Sequence, residues 1–588
     1  MDIFSVLSMI GGLALFLFGM HAMGEGLSKT SGGRLEKILE KLTSNPIKAV
    51  LLGAGVTAVI QSSSATTVMV VGFVNSGIMK LSQAVGIIMG ANIGTTATSW
   101  ILSLSGIEGD NIFIKLLKPS SFSPILAIIG VAYIMFSKRE KIKDIGMILV
   151  GFAILMTGMD MMSDAVKPLA NVPEFTNILT MFTNPILGMI AGAVLTAVIQ
   201  SSSASVGILQ ALCVTGAVSY SAAIPIIMGQ NIGTCITAMM SSIGATKNAK
   251  RAALVHLYFN VIGTILFMLG FYAINGLVGF AFMNDAANAA GIAVVHSVFN
   301  VVATLLLLPF SDVLEKLACF TIRDDAEAPK AESEADKNFR LLDLRFLDTP
   351  GLATEHCRRV AQNMCRLTKE AIFTAVETIP EYDQKKAERV IALENEIDRY
   401  EDELGTYMVK LSQQHLSERD SHELSIILHC LSDFERISDH AVNLVESSRE
   451  MFEKKQEFSK KAKEELAIFT KAVKDIVEVS FDVFEKEDIT KAMLVEPLEE
   501  VIDQLQIEVK QRHVKRLQKG KCTIEMGFVL SDVITSYERI SDHCSNIAVC
   551  LMQVNEDGYD THGYLKDMKH NEDFNNQVNE YKEKYILP

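Results

Sequence analysis

The stretch Thr57-Ala58-Val59-Ile60-Gln61-Ser62-Ser63-Ser64-Ala65 occurs a second time, unchanged, as Thr196 through Ala204. The two copies are displaced by 139 residues. The same displacement relates several flanking segments, which are Asn45-Pro46-Ile47 with Asn184-Pro185-Ile186, and Asn92-Ile93-Gly94-Thr95 with Asn231-Ile232-Gly233-Thr234. An ungapped displacement that holds over separate segments indicates an internal duplication.

Long apolar segments surround these motifs and predict an all-α, polytopic membrane protein. A helix needs about 20 apolar residues to cross the hydrocarbon core of a bilayer. Full spans are predicted over residues 3–23, 82–104, 120–137, 145–163, 222–243, 252–274 and 290–310. The apolar arms beside each Gln-Ser-Ser-Ser quartet are only about 14 residues long, which is too short to cross. We interpret each quartet as the tip of a re-entrant hairpin, buried in protein or lining a cavity.

Basic residues in short loops predict the orientation, because such loops stay in the cytoplasm. Three loops carry them, at Arg34, Lys37 and Lys41, at Lys138 to Lys143, and at Lys247 to Arg251. With seven crossings, the N-terminus lies outside, the C-terminal part is cytoplasmic, and the second repeat is inverted relative to the first. The predicted repeats are residues 1–140 and, with extra helices, 141–312. Inverted repeats are typical of secondary transporters that work by alternating access.

The repeated motifs offer amides and hydroxyls as ligands for an oxyanion and a hard monovalent cation. The candidates are Gln61, Ser62, Ser63, Ser64, Asn92, Thr95, Gln200, Ser201, Ser202, Ser203, Asn231 and Thr234. The sequence places no Lys or Arg near the tips, so a multiply charged anion needs co-bound cations to offset its desolvation. The alternative is that these hydroxyls bond the carbonyls of their own helices or join neighbouring helices.

A second pair of motifs lies in two late spans, His256 with Asn260 and His296 with Asn300. The spacing places His and Asn on one helical face. Ionisable residues inside a membrane are functional candidates, and a packed, hydrogen-bonded histidine is the alternative interpretation.

The paired Gln-Ser-Ser-Ser and Gly-x-Asn-Ile-Gly-Thr motifs resemble the type II sodium/phosphate cotransporter family over residues 1 to about 310. The resemblance implies import of inorganic phosphate across the plasma membrane, driven by sodium, with both tips contributing to the phosphate and sodium sites. The copies differ at Ala91 and Gln230 and at Thr96 and Cys235. A transporter of another oxyanion, a phosphate receptor without flux and a passive anion channel remain alternatives.

The C-terminal part is predicted to be soluble and helical. Residues 313–344 are expected to be a linker, flexible over 323–340, residues 345–555 a helical bundle, and residues 556–588 a solvated polar tail. Phe434 to His440 returns as Tyr537 to His543 with one change, Phe to Tyr. Four Glu-x-x-x-Asp pairs could converge their oxygens on a hard metal: Glu394 with Asp398, Glu435 with Asp439, Glu499 with Asp503, and Glu538 with Asp542.

These acidic motifs resemble the PhoU family of phosphate-signalling regulators. The resemblance implies two three-helix bundles, a divalent or iron-type metal cluster and a regulatory role. The expected partners of this domain are a second copy of the chain or a regulatory protein.

Composition and motif searches exclude two other classes of function. The net charge of −15 and the pI near 5.4 argue against nucleic acid as a partner. The chain has no Gly-Lys-Ser/Thr phosphate loop and no nucleophile-and-base motif, so no enzyme is predicted.

Overall fold

The computed structural model describes residues 3–31, 45–106, 119–324, 333–486, 488–553 and 572–588 of the 588-residue chain. These residues form α-helices and short 3-10 turns, and among them no β-strand occurs. Residue contacts divide the chain into two compact units, Met1–Ala331 and Glu332–Pro588. The all-α architecture predicted from the sequence is confirmed.

The first unit holds thirteen helices within the described residues. They are α1 Ile3–Ser31, α2 Pro46–Ile60, α3 Ser63–Asn75, α4 Leu81–Ser103, α5 Pro119–Phe136, α6 Glu140–Val166, α7 Pro173–Met181, α8 Pro185–Ile199, α9 Ser202–Cys213, α10 Tyr220–Ser241, α11 Lys247–Val278, α12 Ala289–Leu307 and α13 Ser311–Thr321.

Six helices in the described ranges are long and apolar enough to cross a membrane, and all six coincide with predicted spans. The seventh predicted span, residues 120–137, corresponds to α5, which has 18 residues and a length of about 27 Å. The number of crossings and the orientation therefore stay predictions. The basic loop at Arg34, Lys37 and Lys41, on which the orientation partly depends, lies outside the described residues.

The duplication is visible in the helix boundaries. Helices α2 and α8 begin and end at positions displaced by the same 139 residues as the sequence repeat, and α3 and α9 both begin one residue after a Gln-Ser pair. We call α2 with α3 the first hairpin and α8 with α9 the second. Each packs on the long helix that follows it, α2 on α4 and α8 on α10. Glycines allow the close approach: a Cβ at Gly90 would overlap the carbonyl of Val50, and one at Gly229 would overlap that of Met189.

Helices α1 and α6 pack against each other through glycines in a reciprocal pattern. Gly12 faces Gly158, and Gly19 faces Gly151. In the repeat, Gly151 is the counterpart of Gly12 and Gly158 that of Gly19. Contacts that exchange in this way are typical of a two-fold relation. The two helices run antiparallel, because Gly12 lies beside Met162, near the end of α6, and Gly26 beside Asp144, near its start.

Helix α13 and the residues after it correct the predicted linker, which was wrong in this part. Residues 311–321 are helical, and Arg251 of α11, only 5% exposed, donates to the carbonyl of Ile322 and to Asp324. Lys247 also donates to the carbonyl of Arg323 at 2.8 Å. The start of the linker is therefore attached to α11. Residues 325–332 lie outside the described part.

The second unit is a pair of three-helix bundles. Helices α15 Pro350–Val376, α16 Gln384–Leu411 and α17 Glu418–Glu453 pack together in the first bundle, and α18 Lys460–Lys486, α20 Val495–Gln518 and α21 Ile524–Gln553 in the second. The short helix α14, Glu334–Phe339, lies before the first bundle. The short helix α19, Ile489–Ala492, lies between α18 and α20. Helices α17 and α21 join the bundles.

Parts of the predicted flexible linker and of the predicted solvated tail are helical and belong to this unit. In α14, Phe339 packs against Tyr400 with ring centroids 4.7 Å apart and the rings tilted by 57°, so residues 334–340 are not a linker. The predicted polar tail contains α22, Glu572–Lys584, which packs on α20 and is followed by buried Tyr585 and Leu587. Apolar anchors outweigh the charged composition in both segments. Residues 554–571 lie outside the described part.

Candidate functional site

Both Gln-Ser-Ser-Ser quartets interrupt a helix at the same residue and with the same geometry. Gln61 has φ 60° and ψ 21°, and Gln200 has φ 59° and ψ 20°, so both glutamines adopt the left-handed conformation. The next residues, Ser62 and Ser201, are extended, and each side chain accepts from the amide three residues on, at 3.1 and 3.2 Å. Each quartet thus ends one helix and caps the next.

The breaks create two helix N-termini inside the apolar unit. Amides in the first turn of a helix have no partner within the helix and carry the positive end of its dipole. Ser63 and Ser64 occupy this turn in α3, and Ser202 and Ser203 occupy it in α9. Of these, Ser63, Ser202 and Ser203 are buried. Helix N-termini with free first-turn amides are common anion-binding sites in proteins.

Three polar side chains at and behind the tip of the first hairpin are held by hydrogen bonds, either within the hairpin or from α4. Gln61 is buried, its Oε1 accepts from the hydroxyl of Thr98 at 2.9 Å, and its Nε2 donates to the carbonyl of Ala58. Behind the tip, the hydroxyl of Thr57 donates to that of Thr66 at 3.0 Å. Every polar side chain named here therefore has a partner.

The equivalent side chains of the second hairpin lack these hydrogen bonds. Gln200 is exposed, and its amide reaches only the sulfur of Met240 at 3.9 Å. The hydroxyls of Thr196 and Ser205, which correspond to Thr57 and Thr66, are buried and have no hydrogen-bond partner. The same nine-residue sequence thus has two different surroundings. No hydrogen bond joins the two tips, all of whose residues are described.

The Asn and Thr candidates divide into two groups. Asn92, Thr95 and Thr234 bond carbonyls of their own helices at 3.0 to 3.1 Å, as the alternative interpretation anticipates. Asn231 instead bonds side chains of α12: its Nδ2 donates to Asn300 at 2.6 Å, and its Oδ1 lies 3.2 Å from Nε2 of His296.

We did not identify three further polar residues from the sequence. Thr98 holds Gln61 within the first repeat, whereas Ser99 and Gln210 connect the first repeat with the second. Ser99 contacts His296 at 2.7 Å, and Gln210 donates to the carbonyls of Ser99 and Ala289. The signal for Gln210 is its position as a lone amide on an apolar helix, where it is 1% exposed. Thr98 and Ser99 continue the polar face of the Asn-Ile-Gly-Thr segment.

The acidic pairs of the second unit, Glu332–Pro588, are arranged differently in the two bundles. In the second bundle, oxygens of Glu499, Asp503 and Asp542 lie within 4.8 Å of one another, and Glu538 is not in this group. In the first bundle, no such group of three occurs among the described residues. Oxygen-only ligands suit a hard divalent or iron-type cation.

Negative charge also accumulates in the first bundle, although Arg436 lies 3.6 Å from Glu435 and opposes the rise in its pKa, as Arg539 does beside Glu538. Burial, and then the charges of Asp439 and Glu401, raise the pKa of Glu435 to about 7. Burial and the neighbouring carboxylates also raise the pKa of Glu394 and of Asp398. In the second bundle, burial raises the pKa of Glu538 and of Asp542, and Arg539 opposes both shifts. Carboxylates held together in this way fit a cation between them.

The chain matches two protein families. The Na+/Pi-cotransporter family matches residues 15–164 and 154–288, and the PhoU domain matches residues 361–448 and 467–551. The Escherichia coli (strain K12) protein named "Putative inorganic phosphate export protein YjbB" is 24% identical over 559 residues, which cover 94% of this chain and 98% of that protein.

Two further relatives have higher identity over shorter lengths. The Bacillus subtilis protein named "Uncharacterized protein YqeW" is 31% identical over 267 residues, which cover 45% of this chain and 82% of that protein. The rat protein named "Sodium-dependent phosphate transport protein 2A" is 36% identical over 99 residues, covering 16% of this chain and 15% of that protein.

The fold and these matches define a polytopic membrane transporter with a C-terminal helical domain. The chain belongs to the Na+/Pi-cotransporter family, and its C-terminal unit is a PhoU domain. Phosphate transport, rather than catalysis, is the activity of this family.

Proposed function

We propose that the protein is a sodium-coupled symporter that imports inorganic phosphate across the plasma membrane by alternating access. The observation that carries the proposal is the pair of helix breaks at Gln61 and Gln200, each followed by a serine-capped N-terminus. Two positive dipole ends suit a phosphate dianion, and the absence of Lys or Arg from the quartets leaves co-bound cations to balance its charge.

In this proposal the two repeats are inverted, and each quartet is the tip of a re-entrant hairpin. The antiparallel, reciprocal contact of α1 with α6 supports the inversion, because helices related by an inverted repeat run in opposite directions. The breaks at Gln61 and Gln200 support the hairpins. Seven crossings place the N-terminus outside and the PhoU domain in the cytoplasm.

The ligands in this proposal are the twelve residues of the repeated motifs. Hydroxyls and first-turn amides at Ser62 to Ser64 and Ser201 to Ser203 donate to phosphate oxygens. Side-chain oxygens of Gln61, Asn92 and Thr95 coordinate sodium, as do those of their counterparts Gln200, Asn231 and Thr234. The buried hydroxyls of Thr196 and Ser205, which lack partners, support a cation or water beside the second tip.

The PhoU domain, in this proposal, regulates transport. Its acidic pairs hold a divalent or iron-type metal, and its partner is a second copy of the chain or a regulatory protein. The three converging oxygens of Glu499, Asp503 and Asp542 support the metal site.

The test is uptake of radiolabelled phosphate into proteoliposomes with an inward sodium gradient, and then with potassium in place of sodium. We expect concentrative uptake with sodium alone, lost on Ser63→Ala and on Ser202→Ala. Arsenate, sulfate and phosphite as competitors test the choice of phosphate. Uptake that is indifferent to sodium would favour the channel, and binding without uptake would favour the receptor.

Export is the second candidate, because relatives that match over nearly their whole length are named as phosphate export proteins. Export predicts that vesicles loaded with phosphate lose it through the protein at a rate that an inward sodium gradient does not oppose. Symport predicts that the same gradient retains the phosphate, since sodium and phosphate then move inward together.

A further inference from the structure

The side chain of Asn231 is held from two directions by α12. Its Nδ2 donates to Oδ1 of Asn300 at 2.6 Å, so its own Oδ1 faces His296. The imidazole of His296 therefore donates through its Nε2–H, across 3.2 Å, to Oδ1 of Asn231. All three side chains are at most 3% exposed, so water does not compete for these bonds.

The opposite edge of the His296 ring is attached to the first repeat. Nδ1 accepts from the hydroxyl of Ser99 at 2.7 Å. The next residues repeat the contact, since the indole N–H of Trp100 donates to the hydroxyl of Ser297 at 2.9 Å. Helix α12 thus connects α4 of the first repeat with α10 of the second through a chain of polar side chains.

The other His-x-x-x-Asn motif, His256 with Asn260, does not connect α4 with α10 in this way, although its local geometry is the same. In both motifs the asparagine donates to the histidine carbonyl, Asn300 at 2.8 Å and Asn260 at 3.0 Å. Both ring nitrogens of His256, however, are buried without a partner. Asn92, the counterpart of Asn231, bonds only the carbonyl of Ile88 in its own helix. The connection is therefore specific to His296 and Asn300.

We infer that His296 and Asn300 are positioning residues that fix the amide of Asn231 for ligand binding. With these two bonds in place, Asn231 retains one Nδ2 proton and one Oδ1 lone pair in a defined direction. The inference rests on the proposed function, in which Asn231 is a ligand. Outer partners that orient a ligand residue are worth about 10- to 100-fold in affinity or activity when they are removed.

The test measures affinity without requiring flux. The chain has a single tryptophan, Trp100, which lies beside the connection, so its fluorescence in detergent serves as the reporter during titration with phosphate at fixed sodium. We expect His296→Ala to raise the half-saturating phosphate concentration at least about tenfold. His296→Gln is expected to restore most of the affinity, because a carboxamide can both donate to Asn231 and accept from Ser99. His296→Leu, which fills similar space without hydrogen bonds, should not restore the affinity, whereas a role in packing alone predicts that it would.

The matched control is His256→Ala, which removes an equally buried imidazole with the same spacing. We expect it to leave the titration unchanged. Equal shifts in the two alanine variants, or no shift in His296→Ala, would overturn the inference. If His296→Ala does not give monodisperse protein, Asn300→Ala carries the test, because it keeps the imidazole and removes the acceptor for Nδ2 of Asn231, together with the local bond to the His296 carbonyl.

Sodium-driven uptake by the wild-type protein, measured in parallel, separates the two proposals. Normal uptake with an unshifted His296→Ala titration contradicts the positioning role alone. Absent or sodium-independent uptake with a shifted titration contradicts the symporter and retains the positioning role.

Discussion

The two hairpins have the same nine-residue sequence and the same backbone conformation, but different surroundings. In the first, Gln61 is buried and held by Thr98, and Thr57 and Thr66 bond each other. In the second, Gln200 is exposed and the equivalent hydroxyls have no partner. Local sequence thus determines where the helix breaks. The difference in bonding accompanies two changes, the contact of Gln61 with Thr98 of α4 and the replacement of Thr66 by Ser205, one residue past the identical stretch. The first hairpin resembles a closed half-site and the second an open one.

The largest effect should come from the feature that the hairpins share. Gly90→Ala and Gly229→Ala place a methyl group against backbone carbonyls of α2 and α8, so neither hairpin can pack on its long helix. We expect both variants to lose monodisperse, transport-active protein, as measured by size-exclusion chromatography and uptake. Gly55→Ala on α2 is the control, since its Cβ would meet nothing within 4 Å. If Gly90→Ala were tolerated and Gly229→Ala were damaging, the two hairpins would not pack on their long helices in the same way.

Replacing the tip glutamines should separate stability from transport. Glycine adopts the left-handed conformation without strain, so Gln61→Gly and Gln200→Gly remove only the side chain. Gln61→Gly leaves Thr98 without its acceptor, at a cost of about 1–3 kcal/mol in unfolding free energy. We expect Gln200→Gly to melt near the wild-type temperature. Both variants should lose sodium-driven uptake. Equal melting temperatures of the two variants would contradict the conclusion that Gln61 is held by Thr98 and Gln200 is not.

The threonines behind the tips give a smaller and sharper contrast. Thr57→Val removes one partner of a buried hydroxyl pair, so we expect a loss of about 1 kcal/mol. Thr196→Val removes a buried hydroxyl that has no partner, so thermal unfolding without sodium should be unchanged or slightly improved. If a cation binds there, Thr196→Val should also reduce the stabilisation that added sodium gives. A sodium response equal to that of the wild type would place the cation elsewhere.

The smallest effect concerns the bundles of the PhoU domain, a second duplication with unequal copies. The folded-state pKa of Glu435, about 7, lies above its ordinary value of 4.5, so protonation stabilises the fold. That contribution is complete below about pH 4.5 and is lost as the pH rises through 7. We expect Glu435→Gln to raise the melting temperature of metal-free protein at pH 8 and not at pH 4.5. Glu403→Gln, at an exposed position of α16, is the control.

A divalent cation should cancel the advantage of Glu435→Gln at pH 8, because the wild-type carboxylate then has a counter-charge. An advantage that persists with the cation would argue against a metal in the first bundle and would leave the second, with Glu499, Asp503 and Asp542, as the candidate.

The sequence was sufficient for the architecture because its signals are local and repeated. The Gln-Ser-Ser-Ser quartets lie where α2 and α8 end, and the duplicated Asn45 and Asn184 cap the starts of these helices. The difference between Gln61 and Gln200 could not be predicted, since Thr98, which holds Gln61, has an identical counterpart in Thr237, which instead bonds the carbonyl of Thr234 at 2.9 Å. The resemblance to known families supplied phosphate and sodium, which hydroxyl and amide ligands alone do not specify.

Segments 334–340 and 572–588 show where composition misleads. Both are strongly charged, which is typical of flexible chain. Each is ordered by a few apolar anchors, Phe339 on Tyr400 in one case and Tyr585 with Leu587 in the other. Charged residues then add local bonds, such as Lys584 to Asp475 at 2.8 Å. Isolated aromatic residues in a charged segment were the signal for this order.

The glycine contacts between α1 and α6 have a mechanical consequence. Gly12, Gly19 and Gly26 lie seven residues apart, each against the α6 backbone. Seven residues are two helical turns, about 10.5 Å, so a smaller slide would drive bulky side chains such as Phe16 into the opposing backbone. Helices α1 and α6 are therefore expected to move together as one rigid body. Any rocking of one half against the other is left to the hairpins and the helices on which they pack.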